Sequence, residues 1–157
     1  ILSGLVGSEM CIRDRFKPMP QFAPEVFRIL RAKSLGKYKA FRKGLEQLAA
    51  EGVVQILKNE ARGDACPVMA AVGPMQFEVM QARMEFEYNV ETVTEPIPYS
   101  VARRTDAESA PELGRQRGVE IFTRQDGELI ALFGDKWKLA FIEKEHPELT
   151  METLVAD

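Results

Sequence analysis

Two segments of this 157-residue chain each join a predicted helix to a predicted strand at a residue that marks the boundary. In residues 41–57, FRKGLEQLAAEGVVQIL, Gly52 can take the left-handed conformation that ends a helix, and a β-branched strand follows at once. In residues 71–79, AVGPMQFEV, a strand ends at Gly73, and Pro74 is suited to the first turn of a helix. The two segments restrict the chain to folds in which helices and strands pack on each other as layers.

The two helices predicted beside these boundaries are amphipathic. The first covers residues 36–51 with Ser34 as its expected N-cap. Its apolar residues recur every three or four positions, at Tyr38, Phe41, Leu45 and Leu48. The second begins at Pro74, can be ended by Asn89, and has its stripe at Phe77, Met80, Met84 and Tyr88. Neither helix can bury its stripe alone, so both are expected to pack on the same face of a sheet.

Four short runs rich in β-branched and other apolar residues flank the helices and predict strands at residues 26–30, 53–57, 68–72 and 90–95. The order is therefore strand, helix, strand, strand, helix, strand. This order predicts an α+β fold, the ferredoxin-like split βαβ sandwich, with both helices on one face of an antiparallel sheet.

A smaller extension follows this core. Residues 97–103 are expected to be extended, and residues 107–118 to contain a short helix. Asp126-Gly127 lies between two strand-like runs and predicts a β-hairpin over residues 119–133. A last helix is predicted at residues 137–145, with an inward face made of Trp137, Ala140, Phe141 and the stem of Lys144.

The first fifteen residues, ILSGLVGSEMCIRDR, have no helix or strand period that continues into Phe16. Their end, SEMCIRDR, looks like translated sequencing-adapter DNA, so this segment is expected to be non-native or, alternatively, a disordered linker. The chain is thus expected to divide into residues 1–15, a ferredoxin-like core at 16–97, and an extension at 98–157 packed on that core.

Composition narrows the class of protein. A net charge of -3 excludes a globally basic nucleic-acid binder but not a local basic patch. No apolar run approaches the roughly 18 residues that a membrane span requires. Cys11, Cys66 and His146 are too few and too widely spaced for a disulfide framework or a zinc site, and a reducing cytoplasm fits them.

One stretch of the sequence is basic and contains no Asp or Glu. It comprises Arg28, Arg31, Lys33, Lys37, Lys39, Arg42 and Lys43. Most of these residues precede the first helix or lie in its first two turns, where the positive end of the helix dipole disfavours cations, and Glu46 and Glu51 lie towards its negative end. This reversed charge indicates an anionic partner such as RNA, with phosphate contacts that are independent of sequence. The alternative is a solvated helix face whose charges are screened by salt.

No residue pattern indicates a catalytic centre. Glu78, Glu85 and Glu87 lie on a polar helix face, and His146 is expected at a helix end. Gly73 precedes a helix N-terminus that could receive an anion, but a tight turn is the simpler interpretation. The chain contains no GxxxxGK(S/T) phosphate loop. We therefore expect no catalytic, cofactor or metal residues here.

Four segments resemble the C-terminal domain of bacterial peptide chain release factor 3, a translational GTPase family with a layout like that of elongation factor G. They are PQFAPEVFRILRAKSLGKYKAFRKGLEQLAAEGVVQIL, AAVGPMQFEVMQARMEFEYNVET, PIPYSVAR and FGDKWKLAFIEKEHPEL. The resemblance runs from residue 16 to 149. Pro74 and Met75 depart from it, because the family is expected to have a polar or aliphatic residue and then leucine there.

The resemblance implies a cytoplasmic protein that binds the ribosome during translation termination and promotes recycling of the codon-reading release factors. Its GTPase and β-barrel domains, with GTP and Mg²⁺, would lie upstream of a chain like this one. The present chain would then neither bind nor hydrolyse GTP, and would serve as a conformational lever that contacts ribosomal RNA or protein. No membrane or DNA partner is expected.

Two alternatives from other classes remain. A free-standing enzyme acting on acyl phosphates or phosphate esters would bind phosphate between the first strand and first helix, near Arg31 and Ser34. A regulatory or RNA-binding module would stack bases on aromatic residues of a bare sheet face, and the central strands offer only Phe27 for this.

Overall fold

The computed structural model describes residues 23–63 and 66–154. The first half contains β1 (Val26–Ala32), a 3-10 turn (Leu35–Lys37), α1 (Tyr38–Ala50), β2 (Gln55–Lys58), β3 (Val68–Ala71), α2 (Pro74–Tyr88) and β4 (Thr92–Pro96). The second half contains β5 (Val101–Thr105), α3 (Ala110–Arg115), β6 (Val119–Arg124), β7 (Leu129–Phe133), α4 (Lys136–Glu145) and β8 (Glu152–Thr153). The prediction for residues 1–15 lies outside the described residues.

All eight strands belong to one antiparallel sheet with the order β4-β1-β3-β2-β6-β7-β5-β8. Within its first half, β3 lies between β1 and β2, and β1 lies between β3 and β4, as a split βαβ arrangement requires. The predicted α+β, ferredoxin-like class with a hairpin-and-helix extension is confirmed. The division of the chain at residue 97 stays a prediction.

Both long helices pack on the same face of this half, as their apolar stripes predicted. Phe41, Phe77, Met80 and Met84 are at most 1% exposed and belong to one core cluster with Leu30 of β1. The helices approach closely at Gly44, where an added Cβ would lie 2.5 Å from Met84 Sδ. The helix ends were also predicted: Gly52 has φ 79° and Asn89 has φ 55°.

The opposite sheet face is covered as well, because the second half of the sheet packs against it. A second core cluster joins the two halves and contains Phe27, Leu57, Val68, Ala70, Ala102, Phe122, Ile130 and Leu132. Phe27 is only 3% exposed, so it offers no stacking platform for bases. The strands of the two halves meet through β2 and β6, where Leu57 pairs with Arg124 and Lys58 with Thr123.

Two local predictions were wrong. Ser34 is the N-cap of the 3-10 turn and not of α1, and its side chain makes no capping hydrogen bond; α1 begins at Tyr38, with Lys37 as its N-cap. In α4 the inward residues are Leu139 and Ile142, which pack with Leu113 of α3 and Phe133 of β7. The face predicted to point inward points outward, with Trp137 85% and Phe141 57% exposed. No helix among residues 23–63 and 66–154 has the length and apolar character needed to cross a membrane.

Candidate nucleic-acid interface

The first half of α1 presents the exposed part of the basic run. Lys39 and Lys43 lie one turn apart on the outer face of the helix, and neither forms an ion pair or side-chain hydrogen bond with any described residue. Arg42, between them, is 3.6 Å from Glu46, a long and half-exposed pairing of the kind that contributes little. These three cations therefore remain available to a partner.

The charge of α1 is reversed relative to its dipole, as the sequence indicated. Its first turn contains no acidic residue and its last turn no basic residue. Lys39 lies in the first turn, where a cation costs about 0.3–1 kcal/mol at low ionic strength. Glu51, beyond the last turn, is instead stabilised by Arg83 of α2: the hydrogen bond from that guanidinium, aided by one from Gln47, lowers the pKa of Glu51.

Two cations at the end of β1 form ion pairs with carboxylates at or just before β4. Arg31 lies 3.3 Å from Glu95, and Lys33 lies 2.8 Å from Glu91. The hydrogen bond between Lys33 and Glu91 raises the pKa of the lysine and lowers that of the glutamate. These cations are already paired, in contrast to those of α1.

The other two members of the run are held by neutral groups. The guanidinium of Arg28 lies over the ring of Phe77, 5.3 Å from its centroid, and donates to Thr94 Oγ1 at 3.4 Å. Lys37 Nζ donates to the carbonyl of Asn89 at the end of α2, 2.5 Å away. The structure therefore divides the seven predicted residues into a structural set and an available set, the latter made of Lys39, Arg42 and Lys43.

An open cleft between α1, β2 and β6 extends this basic surface. Its empty volume, including space open to solvent, is about 610 Å³, and its apolar wall includes Leu45, Leu57 and Phe122. Arg42 lines it together with Lys58 and Arg62, two cations that sequence reasoning did not connect with the run. No local pattern could have connected them, because the cleft depends on the packing of segments distant in sequence.

Arg62 is fixed at the cleft by Glu120 of β6. Its Nε donates to one carboxylate oxygen at 2.5 Å and its Nη2 to the other at 2.7 Å, a bidentate pair. Asn59 Nδ2 donates to the same carboxylate at 2.9 Å. Burial raises the pKa of Glu120, but the bonds from Arg62, with the other neighbours, outweigh it and hold that pKa below its usual value. The pair ties the loop after β2 to the second half of the sheet.

In the part of the chain that the structure describes, no three His, Cys, Asp or Glu side chains lie close enough together to hold a metal ion. Arg31, the residue that a phosphate cradle would need, is paired with Glu95. The Gly73 N–H at the start of α2 donates to Gln76 Oε1 at 2.7 Å rather than facing an open site. His146 lies at the end of α4, with Nδ1 3.1 Å from Glu148 Oε1.

Comparison with known proteins gives one consistent result. A family model described as class II release factor RF3, C-terminal domain, matches residues 16–143. The chain is 39% identical over 144 residues to peptide chain release factor 3 of Synechococcus elongatus, an alignment that covers 90% of this chain and 26% of that protein. It is 36% identical over 148 residues to peptide chain release factor 3 of Symbiobacterium thermophilum, an alignment that covers 92% of this chain and 28% of that protein. The chain thus spans about a quarter of the length of these relatives.

Proposed function

This chain belongs to the family of class II release factor 3 C-terminal domains, and from that membership we propose that it works in translation termination as the C-terminal part of a peptide chain release factor 3. The intact protein would be a cytoplasmic GTPase that promotes recycling of the codon-reading release factors. Its nucleotide site, with GTP and Mg²⁺, and its β-barrel domain would lie in the part of the relatives' length that this chain does not span. This chain would act as a lever and contact surface.

We propose that the contact is made to the ribosome through the available cations of α1. The observation that carries this proposal is the position of Lys39 and Lys43. Both are exposed and neither has a carboxylate partner among the described residues; Lys39 also lies in the first turn of the helix, where the dipole disfavours a cation. Phosphate groups of ribosomal RNA would neutralise them. Arg42 and Lys58 would continue this contact along the cleft, where Arg62 is already held by Glu120.

The other four cations of the basic run have a structural role in this proposal instead of contacting RNA. They are Arg28, Arg31, Lys33 and Lys37. Their bonds to β4 and to the end of α2 would hold the start of α1 in place while Lys39, Arg42 and Lys43 face the RNA. A substitution at Lys37 would therefore remove its bond to the end of α2 as well as weaken any contact with RNA.

The test is charge reversal at the two lysines without internal partners. The double variant Lys39→Glu/Lys43→Glu should bind ribosomes about tenfold more weakly at low salt, and its log K against log[salt] should be shallower by about 1–2 units. The matched control, Lys136→Glu/Lys144→Glu on α4, changes the net charge equally and should leave both quantities unchanged. Equal losses in both variants would show only a general charge effect and would reject the α1 contact.

We further propose that this chain alone neither binds nor hydrolyses GTP. The absence from the sequence of a GxxxxGK(S/T) loop, which would hold the phosphates of GTP, supports this. Calorimetric titration with GTP and Mg²⁺ should give no heat of binding. Saturable binding, or hydrolysis of GTP or of an acyl phosphate that is lost in Arg31→Gln, would favour the free-standing enzyme instead.

A further inference from the structure

Helix α2 has a second apolar row on the side opposite its buried stripe. Met75 is 73% exposed, Val79 47% and Phe86 92%, and Ala82 lies exposed between the last two. The spacing of four, three and four residues places all of them on one stripe, which extends along about 16 Å of the helix. A helix that only covered a sheet would carry polar residues there, so this row requires an explanation.

The borders of the row are acidic. Glu78 and Glu85, seven residues apart, lie along one side, are exposed and form no ion pair with any described residue. On the other side Arg83 is neutralised by two carboxylates, Glu87 at 2.7 Å and Glu51 of α1. Lys33 exerts some attraction on Glu85, but its ammonium is bound to Glu91. The surface around the apolar row is therefore negatively charged.

We propose that the outer row of α2 is a docking site for an amphipathic helix of a separate protein, whose own apolar row is bordered by lysine or arginine. Alternating steps of four and three residues are the spacing by which two helices pack along a seam, and residues beside the seam choose the partner by charge. The small side chain of Ala82 lets a second helix approach closely at the middle of the row. This docking site lies on a different helix from the proposed RNA contact and does not depend on it.

The same charges disfavour the other candidates. A second copy packed antiparallel would place glutamates opposite glutamates beside the seam, and one packed parallel would need Arg83, whose guanidinium is already held by two carboxylates. Nucleic acid would meet uncompensated carboxylates instead of cations. A basic helix would bury apolar surface against the row and would pair its cations with the carboxylates beside it.

Another exposed apolar side chain lies near the C-terminal end of α2. Leu35, 94% exposed, lies in the 3-10 turn before α1. That turn is held at the end of α2, because Lys37 Nζ donates to the Asn89 carbonyl at 2.5 Å and Lys33 N to the Glu91 carbonyl at 2.9 Å. The row itself accounts for about three turns of a partner helix. The contact remains small for a protein interface, so we expect binding in the range of about 1–100 μM.

The test uses two synthetic helical peptides of about 21 residues, with leucine along the seam and either lysine or glutamate beside it. Fluorescence anisotropy with the 157-residue chain should show binding of the lysine peptide only. Val79→Ser/Phe86→Ser should weaken it at least tenfold, while the control Trp137→Ser/Phe141→Ser, equally exposed on α4, should leave it unchanged. Glu78→Lys/Glu85→Lys should reverse the preference, so that the glutamate peptide binds more tightly than the lysine peptide.

Four outcomes would overturn the proposal. One is no binding of the lysine peptide up to about 1 mM. Another is equal binding of both peptides, which would mean that the borders choose nothing. The third is amide shift changes, mapped by NMR, that centre on α4 or the cleft rather than on α2. The last is a dimer in sedimentation equilibrium that Val79→Ser/Phe86→Ser dissociates, which would make a second copy of this chain the occupant.

Discussion

The closest approach of the two long helices gives a quantitative test of the core. In Gly44→Ala the new methyl carbon would lie 2.5 Å from Met84 Sδ and 3.0 Å from both Met84 Cε and Tyr88 Cδ2, where about 3.5–4.0 Å is normal. Met84 is fully buried, so its sulfur and methyl can give way only by displacing packed neighbours, and overpacking should cost about 1–3 kcal/mol. Replacing a mid-helix glycine by alanine returns about 1 kcal/mol of helix propensity. The net expectation is a loss of about 1 kcal/mol in the free energy of unfolding.

Removing the Met84 side chain should turn Gly44→Ala from a destabilising into a stabilising substitution. Met84→Ala alone should cost about 2–5 kcal/mol through the cavity that it leaves. In that background Gly44→Ala should stabilise by up to about 1 kcal/mol, because the sulfur and methyl of Met84 are gone and the half-buried Tyr88 ring, the remaining close neighbour, can shift towards the cavity. The two substitutions should therefore be coupled by about 1–3 kcal/mol.

Urea unfolding of the four proteins of this cycle, followed by far-UV circular dichroism, measures the coupling. Gly114→Ala in α3 is the matched control, since its added Cβ would lie 3.5 Å from Ile121 Cγ1, an ordinary contact. It should show no coupling to Met84→Ala. Additivity of Gly44→Ala and Met84→Ala within about 0.5 kcal/mol would refute the packing of α1 against α2 described above.

Three further predictions concern the second half of the chain. Glu120→Gln should lower stability by about 1–3 kcal/mol at pH 7. The folded-state pKa of Glu120 lies below its ordinary 4.5, so its contribution is present above pH 4.5 and is lost as the pH falls through the folded-state pKa. The urea midpoints of wild type and variant should therefore converge as the pH is lowered below 4.5. Thr105→Val should raise the free energy of unfolding by about 1 kcal/mol in the same assay, because the buried Thr105 hydroxyl has no hydrogen-bond partner among the described residues; a loss of stability would contradict this. Leu139→Ala should lower the thermal midpoint strongly, with a cost of about 2–5 kcal/mol, and Trp137→Ala by less than about 0.5 kcal/mol, the reverse of what the sequence pattern of α4 predicted.

The first half of the fold was predictable because its boundaries are set by local chemistry. Gly52 and Asn89 take the left-handed conformation that their residue types tolerate, and Pro74 lies in the first helical turn that proline favours. In α4 the local pattern was ambiguous, since aromatic residues and aliphatic residues form two different stripes. Leu139 and Ile142 are the buried pair because they pack against Leu113 of α3 and Phe133 of β7, which no local pattern in α4 could reveal.

The candidate interface was only partly predictable for a related reason. The basic run is continuous in sequence, but it passes from a strand to a helix, and the carboxylates that neutralise Arg31 and Lys33 come from a strand about 60 residues later. Likewise, Lys58 and Arg62 line the same cleft as Arg42 only because β2 pairs with β6. A charge count along the chain cannot separate paired from available cations.

The central claim is that the first half of α1 faces ribosomal RNA. Cryo-electron microscopy of this chain bound to the ribosome tests it most directly. We predict that Lys39 and Lys43 lie within about 4 Å of phosphate oxygens, with the cleft that contains Arg42 beside the same RNA segment. A complex in which α1 faces solvent while another surface meets the ribosome, or no complex at all at low salt, would contradict the account.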